Sequence, residues 1–321
     1  MSLTYTTKTH RAPYPRIDPA HPHLSAAGKT VLIVGGSTGI GLATALAFLA
    51  AGTTRLVLTG RREDVLATAA AELKKNTSGA AARTLTFAVD VTDEAGMEHV
   101  FVETEKAFGG KAPDVVINCA GALGGSLRPL ASLDGDGFKN WWSAFEVNVR
   151  GAATLARLVV RHASSALRNN TDKGGIEEAN TTTTPTTTLI QLSTAGALFP
   201  ANCALPMSAY AASKLAAVKV MEYVGAETDP GLLRVLSVHP GIVPETEGGQ
   251  EMAKESGIVW EGDDINLPAH FLVWAASHEA EFLRNKLVFA GWDVDELVAR
   301  KEEIANTPEL LIGLNGFPRS L

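Results

Sequence analysis

The sequence predicts an α/β fold, a doubly wound and mostly parallel seven-stranded sheet with helices on both faces. Three observations support this prediction. Short aliphatic runs rich in β-branched residues alternate with longer segments in which apolar residues recur every three or four positions. The alternation continues along almost the whole chain, which is typical of β-α-β units. Right-handed crossovers between such units favour a doubly wound arrangement.

Seven apolar runs have the length of strands, and five helical patterns lie between them. The predicted strands are Val31–Val34, Leu56–Thr59, Leu85–Val89, Val115–Asn118, Leu189–Ser193, Val235–His239 and Leu287–Ala290. The predicted helices are Gly39–Ala51, Glu63–Lys75, Asp93–Phe108, Trp142–Leu167 and Met207–Thr228. A length of 321 residues is compatible with one α/β domain, here expected over residues 29–321.

Three segments fall outside the alternation. Residues 1–28 are polar and rich in proline and histidine, and we expect an extension on the surface. Residues 168–188 are threonine-rich and of low complexity, which predicts a flexible insertion. Residues 244–265 are rich in glycine and glutamate and follow a predicted strand end, where loops tend to cover ligands. We interpret this last segment as a substrate lid, with a plain solvent loop as the alternative.

Composition restricts the function classes. The formal net charge is -7 and no basic stripe is visible, so we expect no nucleic-acid partner. The first residues lack the apolar core of a secretory signal, and glycines break the uncharged stretch Thr30–Thr54, so we expect a cytoplasmic protein without a membrane anchor. Cys119 and Cys203 form neither a disulfide framework nor a metal motif, and no metal site is predicted.

A glycine-rich turn follows the first predicted strand and leads into a helix. It reads Gly35-Gly36-Ser37-Thr38-Gly39-Ile40-Gly41. Glycines let the backbone approach a pyrophosphate, and the start of the helix offers free N–H groups. No lysine follows, which excludes a Walker P-loop. The turn predicts a dinucleotide site in a Rossmann fold, with a purely structural turn as the alternative.

Two arginines follow the second predicted strand. In a dinucleotide fold this point faces the adenosine ribose, where an acidic residue would bind the 2′-hydroxyl of NAD. Arg61 and Arg62 suit the 2′-phosphate of NADP instead. We therefore predict NADP(H) as the cofactor and Arg61 as its phosphate ligand, with a hydroxyl of Ser37 or Thr38 as partner. The alternative is two solvated arginines at a helix start.

Several further motifs follow in a fixed order between Lys29 and Trp292. They are Asp90-Val91, Asn118-x-Ala120-Gly121, Asn148, Ser193, Tyr210-x-x-x-Lys214 and Pro240-Gly241. Each is weak evidence by itself. Together with the glycine turn, they make the chain similar to the short-chain dehydrogenase/reductase family. The extension ending in Ile17-Asp18-Pro19 and the tail Gly313–Phe317 resemble those of fungal members.

The resemblance implies several further cofactor contacts. Asp90 and Val91 are expected at the adenine. Asn118 is expected to steady the central sheet, with Ala120 and Gly121 beside the cofactor. Beyond the sixth strand, the turn Pro240-Gly241 and the residues Val243 and Thr246 are expected at the carboxamide. Thr246 lies one residue later than the family pattern places it.

Tyr210 and Lys214 are four positions apart in a helical segment, so both side chains lie on one face. An ammonium beside a phenol lowers the phenol pKa, which would make Tyr210 an acid or base near neutral pH. The resemblance implies that Lys214 also reaches the nicotinamide ribose. It further implies that Ser193 polarises a substrate carbonyl and that Asn148 holds a water that relays protons to Lys214. The spacing from Ser193 to Tyr210, 17 positions, is longer than usual in the family.

These features predict NADP(H)-dependent interconversion of a carbonyl and an alcohol on a small molecule, in a context of specialised metabolism. Two alternatives stay open. One is a non-redox isomerisation or dehydration on the same fold, and the other is a non-catalytic NADP-binding protein. We expect a homodimer or homotetramer, because similar proteins pair through the helices predicted at Trp142–Leu167 and Met207–Thr228.

Overall fold

The computed structural model describes residues 4–76, 82–125, 127–171, 186–201 and 206–314. Seven strands form one sheet in the order β3-β2-β1-β4-β5-β6-β7, and every neighbouring pair is parallel. The predicted doubly wound sheet is confirmed. Its strands are β1 (Thr30–Val34), β2 (Arg55–Gly60), β3 (Arg83–Ala88), β4 (Val115–Asn118), β5 (Thr187–Leu192), β6 (Leu233–His239) and β7 (Leu287–Phe289).

Helices cover both faces of the sheet. They are α1 (Gly39–Ala50), α2 (Glu63–Lys75), α3 (Glu94–Ala107), α4 (Gly135–Phe145), α5 (Ala152–Thr171), α6 (Ser208–Glu227), α7 (Glu247–Ser256), α8 (Asn266–Ala275), α9 (Val294–Ala299) and α10 (Lys301–Asn306). Residues of α1, α2 and α8 pack on one face, and residues of α3, α5 and α6 pack on the other. The central strands β1 and β4 are therefore buried on both faces, which explains why they are almost continuous apolar runs, whereas the edge strand β3 is only partly buried.

The strand order reverses between β1 and β4. From β1 the chain winds outward through β2 and β3, and it then returns to continue through β4 to β7. The loops that leave β1 and β4 consequently diverge at the carboxyl edge of the sheet and leave a crevice there. Ligands of doubly wound folds bind in this crevice.

The predicted helix at Trp142–Leu167 is wrong in its boundaries. The helical segment starts seven positions earlier, at Gly135, where the side chain of Asp134 accepts a hydrogen bond from Gly137 N at 2.7 Å. A π-helical stretch, Glu146–Gly151, then separates α4 from α5. Apolar periodicity does not reveal such a stretch, which contains one extra residue per turn and often marks a functional site.

The N-terminal extension is not confined to the surface, which corrects the expectation for residues 1–28. Ile17 and Leu24 are fully buried in the core, at 0% and 2% exposure. Thr9 pairs with Trp292 in an antiparallel bridge, and the Tyr14 hydroxyl accepts a hydrogen bond from Val294 N at 3.0 Å. The few apolar anchors are scattered among polar residues and prolines, so they leave no periodic signal in the sequence.

The segments predicted as an insertion and a lid both include residues of regular secondary structure. Helix α5 reaches Thr171 and β5 begins at Thr187, so both ends of the predicted insertion 168–188 belong to regular elements. Residues 172–185, and Cys203 elsewhere in the chain, lie outside the described residues. The predicted lid, residues 244–265, contains α7. Across the described ranges, no helix combines the length and the apolar character needed to cross a bilayer.

Candidate active site

A cavity of about 1120 Å³ opens at the carboxyl edge of the sheet, above the crevice between β1 and β4. It is lined by nearly all of the residues that the sequence predicts for the site. These are Gly35, Ser37, Thr38, Gly39, Ile40, Gly41, Arg61, Arg62, Asp90, Val91, Ala120, Gly121, Ser193, Tyr210, Lys214, Pro240, Gly241, Val243 and Thr246. The two predicted residues outside the lining are Asn118 and Asn148.

The glycine turn leaves no room for side chains on its inner side. Gly35 adopts φ +76°, and a Cβ there would lie 3.0 Å from the backbone nitrogen of Ala120. A Cβ on Gly41 would lie 2.1 Å from the carbonyl oxygen of Gly35. The turn therefore folds tightly between β1 and α1. It presents backbone to the cavity just where the first N–H groups of α1 have no partner within the helix, a combination that suits a pyrophosphate.

The two arginines after β2 have different environments. Arg62 donates to Glu247 Oε1 at 2.6 Å, and this ion pair joins the rim of the cavity to α7. Arg61 lines the cavity and forms neither a hydrogen bond nor an ion pair with any residue in the described part of the chain. Ser37 lies beside them, since a Cβ on Gly60 would come within 2.9 Å of its hydroxyl oxygen. Arg61 and Ser37 are thus the groups here that are placed to meet a phosphate.

The acidic residue after β3 is engaged by its own turn. Asp90 Oδ1 accepts hydrogen bonds from the backbone nitrogen and the hydroxyl of Thr92, at 2.8 and 2.7 Å. Val91 is buried and packs against Gly151 of the π-helical stretch. The turn formed by Asp90, Val91 and Thr92 is therefore part of the cavity wall, at the end where the resemblance places the adenine.

Asn118 and Asn148 lie outside the cavity lining and connect the elements around it. Asn118 donates to Gln191 Oε1 at 2.8 Å and so links β4 to β5. Asn148 accepts from Ala122 N and donates to Ala122 O, both at 2.9 Å, and it also donates to Ser213 Oγ at 2.9 Å. Both amide hydrogens of Asn148 are therefore donated to protein, and the side chain ties the loop after β4 to α6. The water-relay role of Asn148 stays a prediction.

Tyr210 and Lys214 lie side by side on α6. Lys214 is 3% exposed, and its Nζ donates to the carbonyl oxygen of Leu192 at 3.0 Å. That Nζ lies 5.9 Å from the centre of the Tyr210 ring. Burial lowers the pKa of Lys214 to about 8, and the nearby Cys119 thiol offsets this only in part.

The expected lowering of the Tyr210 pKa is wrong for this structure. Burial of the phenol raises its pKa, and a hydrogen bond with the side chain of Thr194 opposes the rise without cancelling it. The Lys214 ammonium donates its hydrogen bond to the Leu192 carbonyl and lies near the face of the Tyr210 ring. It therefore does not offset the effect of burial on the pKa of the phenol. The sequence spacing shows that the two residues share a helix face, but it does not show where the ammonium points.

The burial of Lys214 predicts a pH-dependent stability difference for Lys214→Met. Between about pH 8 and 10.5 the native state releases a proton that the unfolded state keeps, so the stability of the wild type rises with pH in that window. Below pH 8 the native state carries a buried charge, at a cost of roughly 3 kcal/mol. The methionine variant avoids this cost but leaves the Leu192 carbonyl unpaired, a loss of about 1 kcal/mol.

We therefore expect Lys214→Met to be more stable than the wild type at pH 7, by roughly 2 kcal/mol. The difference should shrink or reverse by pH 10. Urea denaturation of both proteins at the two pH values measures it. An equal difference at both pH values would show that the lysine pKa is not depressed. A conservative control is Lys219→Met on the same helix, whose ammonium is half-exposed and paired with Glu222.

The hydroxyl that pairs with Tyr210 belongs to Thr194, a residue that sequence reasoning missed. Ser193 continues the strand pairing, since its backbone nitrogen donates to Val238 O at 2.8 Å. Its side chain is 3% exposed, and its Oγ has no hydrogen-bond partner among the residues described. Thr194 instead begins the tight turn before α6 and accepts from Gly196 N at 3.2 Å. The small residues Ala195 and Gly196 after Thr194 are the sequence signal of that turn.

Thr246 has a local role in the structure. Its hydroxyl donates to Val243 O at 2.8 Å and accepts from Gly249 N at 3.0 Å, which caps α7. Its methyl group lies against Gly39, where a Cβ would approach it to 3.2 Å. Thr246 therefore joins the start of the predicted lid to the glycine turn. Its contact with a carboxamide stays a prediction.

Part of the cavity lining is apolar. Phe199, Met207, Met252 and Ile258 contribute to it together with Trp260, whose indole nitrogen is buried and has no partner among the described residues. His239 also lines the cavity, and burial lowers its pKa to about 4, so the imidazole is neutral near pH 7. His239 lies at the end of β6, and its position in the cavity lining was not predicted.

A dinucleotide turn at the switch point of a doubly wound sheet, with a tyrosine, a lysine and a hydroxyl beside it, defines the class of nicotinamide-dependent oxidoreductases of this fold. Comparison with known proteins agrees. Residues 29–176 match the model of the short chain dehydrogenase family. A short chain dehydrogenase/reductase from Claviceps purpurea is 35% identical over 95% of this chain and 92% of its own length. The chain belongs to the short chain dehydrogenase/reductase family.

Other relatives extend the comparison. The short chain dehydrogenase/reductase AacuD from Aspergillus aculeatus is 32% identical, with 97% of each chain covered. Among solved structures, levodione reductase superposes with a TM-score of 0.68 at 20% identity, over 88% of this chain and 99% of its own. A short chain dehydrogenase from Shigella flexneri in complex with NADP has a TM-score of 0.67 at 18% identity, over 84% and 99%. These structural likenesses support the fold.

Proposed function

We propose that this protein is an NADP(H)-dependent oxidoreductase that interconverts a carbonyl and an alcohol on a small uncharged molecule. The observation that carries the proposal is the grouping of Tyr210, Thr194 and Lys214 in the cavity that the glycine turn also lines. Membership of the family supports the oxidoreductase class. The cofactor preference, the substrate and the catalytic roles belong to the proposal.

The residues around the cavity fit a dinucleotide. The turn at Gly35 and Gly41 offers bare backbone for a pyrophosphate, and Arg61 with Ser37 offers a cation and a hydroxyl for a 2′-phosphate. When bound, the nicotinamide supplies or accepts the hydride. Asp90 and Val91 would hold the adenosine end, and the stretch from Pro240 to Val243 would hold the other.

Tyr210 and Thr194 act on the substrate oxygen in this proposal. Because their hydroxyls are hydrogen-bonded to each other, one substrate oxygen can contact both. In reduction Tyr210 donates its proton to that oxygen, and Thr194 stabilises the negative charge that develops on it. Lys214 carries a positive charge below about pH 8 and favours the phenolate that Tyr210 becomes. In oxidation the same proton returns to Tyr210.

The charges that line the cavity favour uncharged substrates. Within the described lining, the cationic side chains are Arg61, Arg62 and Lys214, which lie beside the glycine turn or Tyr210. The apolar part of the lining includes Met252 and Ile258, and the charged lining side chain next to Met252 in the chain is the anionic Glu251. A substrate carboxylate or phosphate would therefore meet no cation there, and its desolvation would go uncompensated.

The lid and the assembly are also proposals. Glu251, Met252, Ile258 and Trp260 of residues 244–265 line the cavity, which supports a lid role for that segment. Exposed aromatic side chains on α4 and α6, such as Trp142 at 49% and Tyr223 at 59%, support pairing with a second subunit. We propose a cytoplasmic homodimer or homotetramer without a nucleic-acid partner, and light scattering that gives a monomer mass would exclude the assembly.

The absorbance band of NADPH provides the test of the reaction. Uncharged aromatic and alicyclic ketones should consume NADPH with one alcohol formed per NADPH, and the matched keto acids should react much more slowly. Product formed without any change in NADPH would favour a non-redox isomerisation or dehydration. Cofactor binding without turnover of any compound in a broad panel would favour a non-catalytic binding protein.

Thr194 and Ser193 provide a matched pair for testing the catalytic hydroxyl. Thr194→Val keeps the side-chain shape and removes the hydroxyl that pairs with Tyr210, so we expect kcat to fall by about 10²-fold or more. Thr194→Ser should retain most of the activity. Ser193→Ala should change kcat by less than about fivefold, because this hydroxyl has no partner to lose. The reverse ranking of the two variants would assign the role to Ser193.

A further inference from the structure

The N-terminal extension reaches the end of the predicted lid through one residue. The guanidinium of Arg11 donates to Asp263 Oδ1 at 3.1 Å and to Gly262 O at 3.2 Å. It also pairs with the carboxylate of Glu261 at 2.6 Å and bonds the carbonyl of that residue. The carbonyl of Arg11 accepts from Asp264 N at 2.8 Å. Arg11 therefore contacts four consecutive residues, 261–264, near the C-terminal end of the predicted lid.

Asp263 connects Arg11 to the cavity wall. Its second carboxylate oxygen accepts from Ile242 N at 2.8 Å, and its backbone nitrogen donates to Ile242 O at 2.6 Å. Gly241 adopts φ +97°, and a Cβ there would lie 2.5 Å from Asp263 Oδ2. The carboxylate thus lies directly against the Gly241-Ile242 peptide. Within the described part of the chain, one carboxylate oxygen bonds Arg11 and the other bonds the turn.

The turn that Asp263 holds is part of the cavity. Pro240, Gly241, Ile242 and Val243 all line it, and the proposed function assigns this stretch to the nicotinamide end. Resting on that function, we propose that Arg11 is a positioning residue, which fixes the turn after β6 through Asp263 and so shapes the cofactor site. The extension would then contribute to the site without touching the ligand.

The expected effect is local order rather than global stability. The side chain of Arg11 is 47% exposed, and exposed ion pairs contribute little to folding. The planar guanidinium, however, bonds several acceptors in one fixed geometry, which restricts their relative motion. Loss of Arg11 should therefore loosen the turn while the fold stays intact.

Arg16 provides a matched control in the same extension. It forms ion pairs with Glu279 and Asp295, both at 2.8 Å, and its side chain is 27% exposed. Neither partner lines the cavity. Arg16→Ala therefore removes a comparable set of ion pairs and leaves the turn untouched.

Binding of NADPH, followed by quenching of tryptophan fluorescence, provides the first measurement. We expect Arg11→Ala to raise the Kd by roughly tenfold, since small displacements of positioning groups have effects of this order or larger. Arg11→Lys should recover only part of the affinity, because it keeps the positive charge but loses the planar guanidinium that bonds several acceptors at once. Arg16→Ala should bind like the wild type. Equal Kd values for Arg11→Ala and Arg16→Ala would overturn the inference.

Hydrogen exchange of the unliganded protein provides the second measurement, which does not depend on the cofactor. The Ile242 amide should exchange faster in Arg11→Ala and in Asp263→Ala, and at the wild-type rate in Arg16→Ala. Unchanged exchange in Arg11→Ala would refute the positioning role. If the wild type bound no NADPH, the proposed function would fail, whereas the exchange data would still decide whether Arg11 orders the turn.

Discussion

Replacing Tyr210 by phenylalanine is expected to reduce turnover by at least about 10³-fold, because the substrate oxygen loses its proton donor. The variant lacks only the hydroxyl, and the ring keeps its place beside Lys214. NADPH binding should therefore stay close to the wild-type value. Single-turnover rates with an excess of enzyme, together with a fluorescence titration, measure the two quantities separately.

Tyr223→Phe is the control for this experiment. Tyr223 lies on the same helix, but it is 59% exposed and does not line the cavity. Loss of the Tyr223 hydroxyl should leave the single-turnover rate unchanged. A Tyr210→Phe enzyme that retained more than about a tenth of the wild-type rate would contradict general acid–base catalysis by this residue.

Replacing Arg61 by alanine is expected to have the second largest effect. A hydrogen-bonded charge pair with a phosphate contributes about 1.5–3 kcal/mol, so the KM for NADPH should rise roughly 10- to 150-fold. The KM for NADH should change little, since NADH lacks the 2′-phosphate. The difference in binding free energy between the two cofactors measures the contribution of Arg61 directly.

Arg62→Ala is the matched control on the neighbouring residue. Arg62 already pairs with Glu247 at 2.6 Å, and both side chains are more than half exposed, so the effect on NADPH should be within about fivefold. If Arg61→Ala weakened NADPH and NADH equally, Arg61 would be a structural residue. If Arg62→Ala had the larger effect, the phosphate ligand would be Arg62.

The sheet and the cofactor turn could be predicted from the sequence. Strands buried on both faces require uninterrupted apolar runs, and a turn such as that at Gly41, where a Cβ would collide with Gly35 O, requires glycine. Both requirements act over a few neighbouring residues. They are therefore visible as local patterns, and the parallel sheet follows from their order along the chain.

The hydroxyl that pairs with Tyr210 could not be chosen from the sequence. Ser193 and Thr194 are adjacent, and both could follow a strand. Only the packing shows that Ser193 extends the pairing with β6 and that Thr194 turns toward Tyr210. The direction in which the pKa of Tyr210 shifts could not be predicted from the sequence for the same reason. It depends on the burial of the phenol and on the position of the Lys214 ammonium.

The sequence by itself determined the doubly wound sheet, the glycine turn and the helix face shared by Tyr210 and Lys214, because each depends on spacing within a short segment. The tertiary structure alone decided that Thr194 partners Tyr210, that the extension enters the core at Ile17, and that Arg11 reaches the turn after β6. These contacts join residues far apart in the chain, and their geometry exists only once the sheet and its helices have packed.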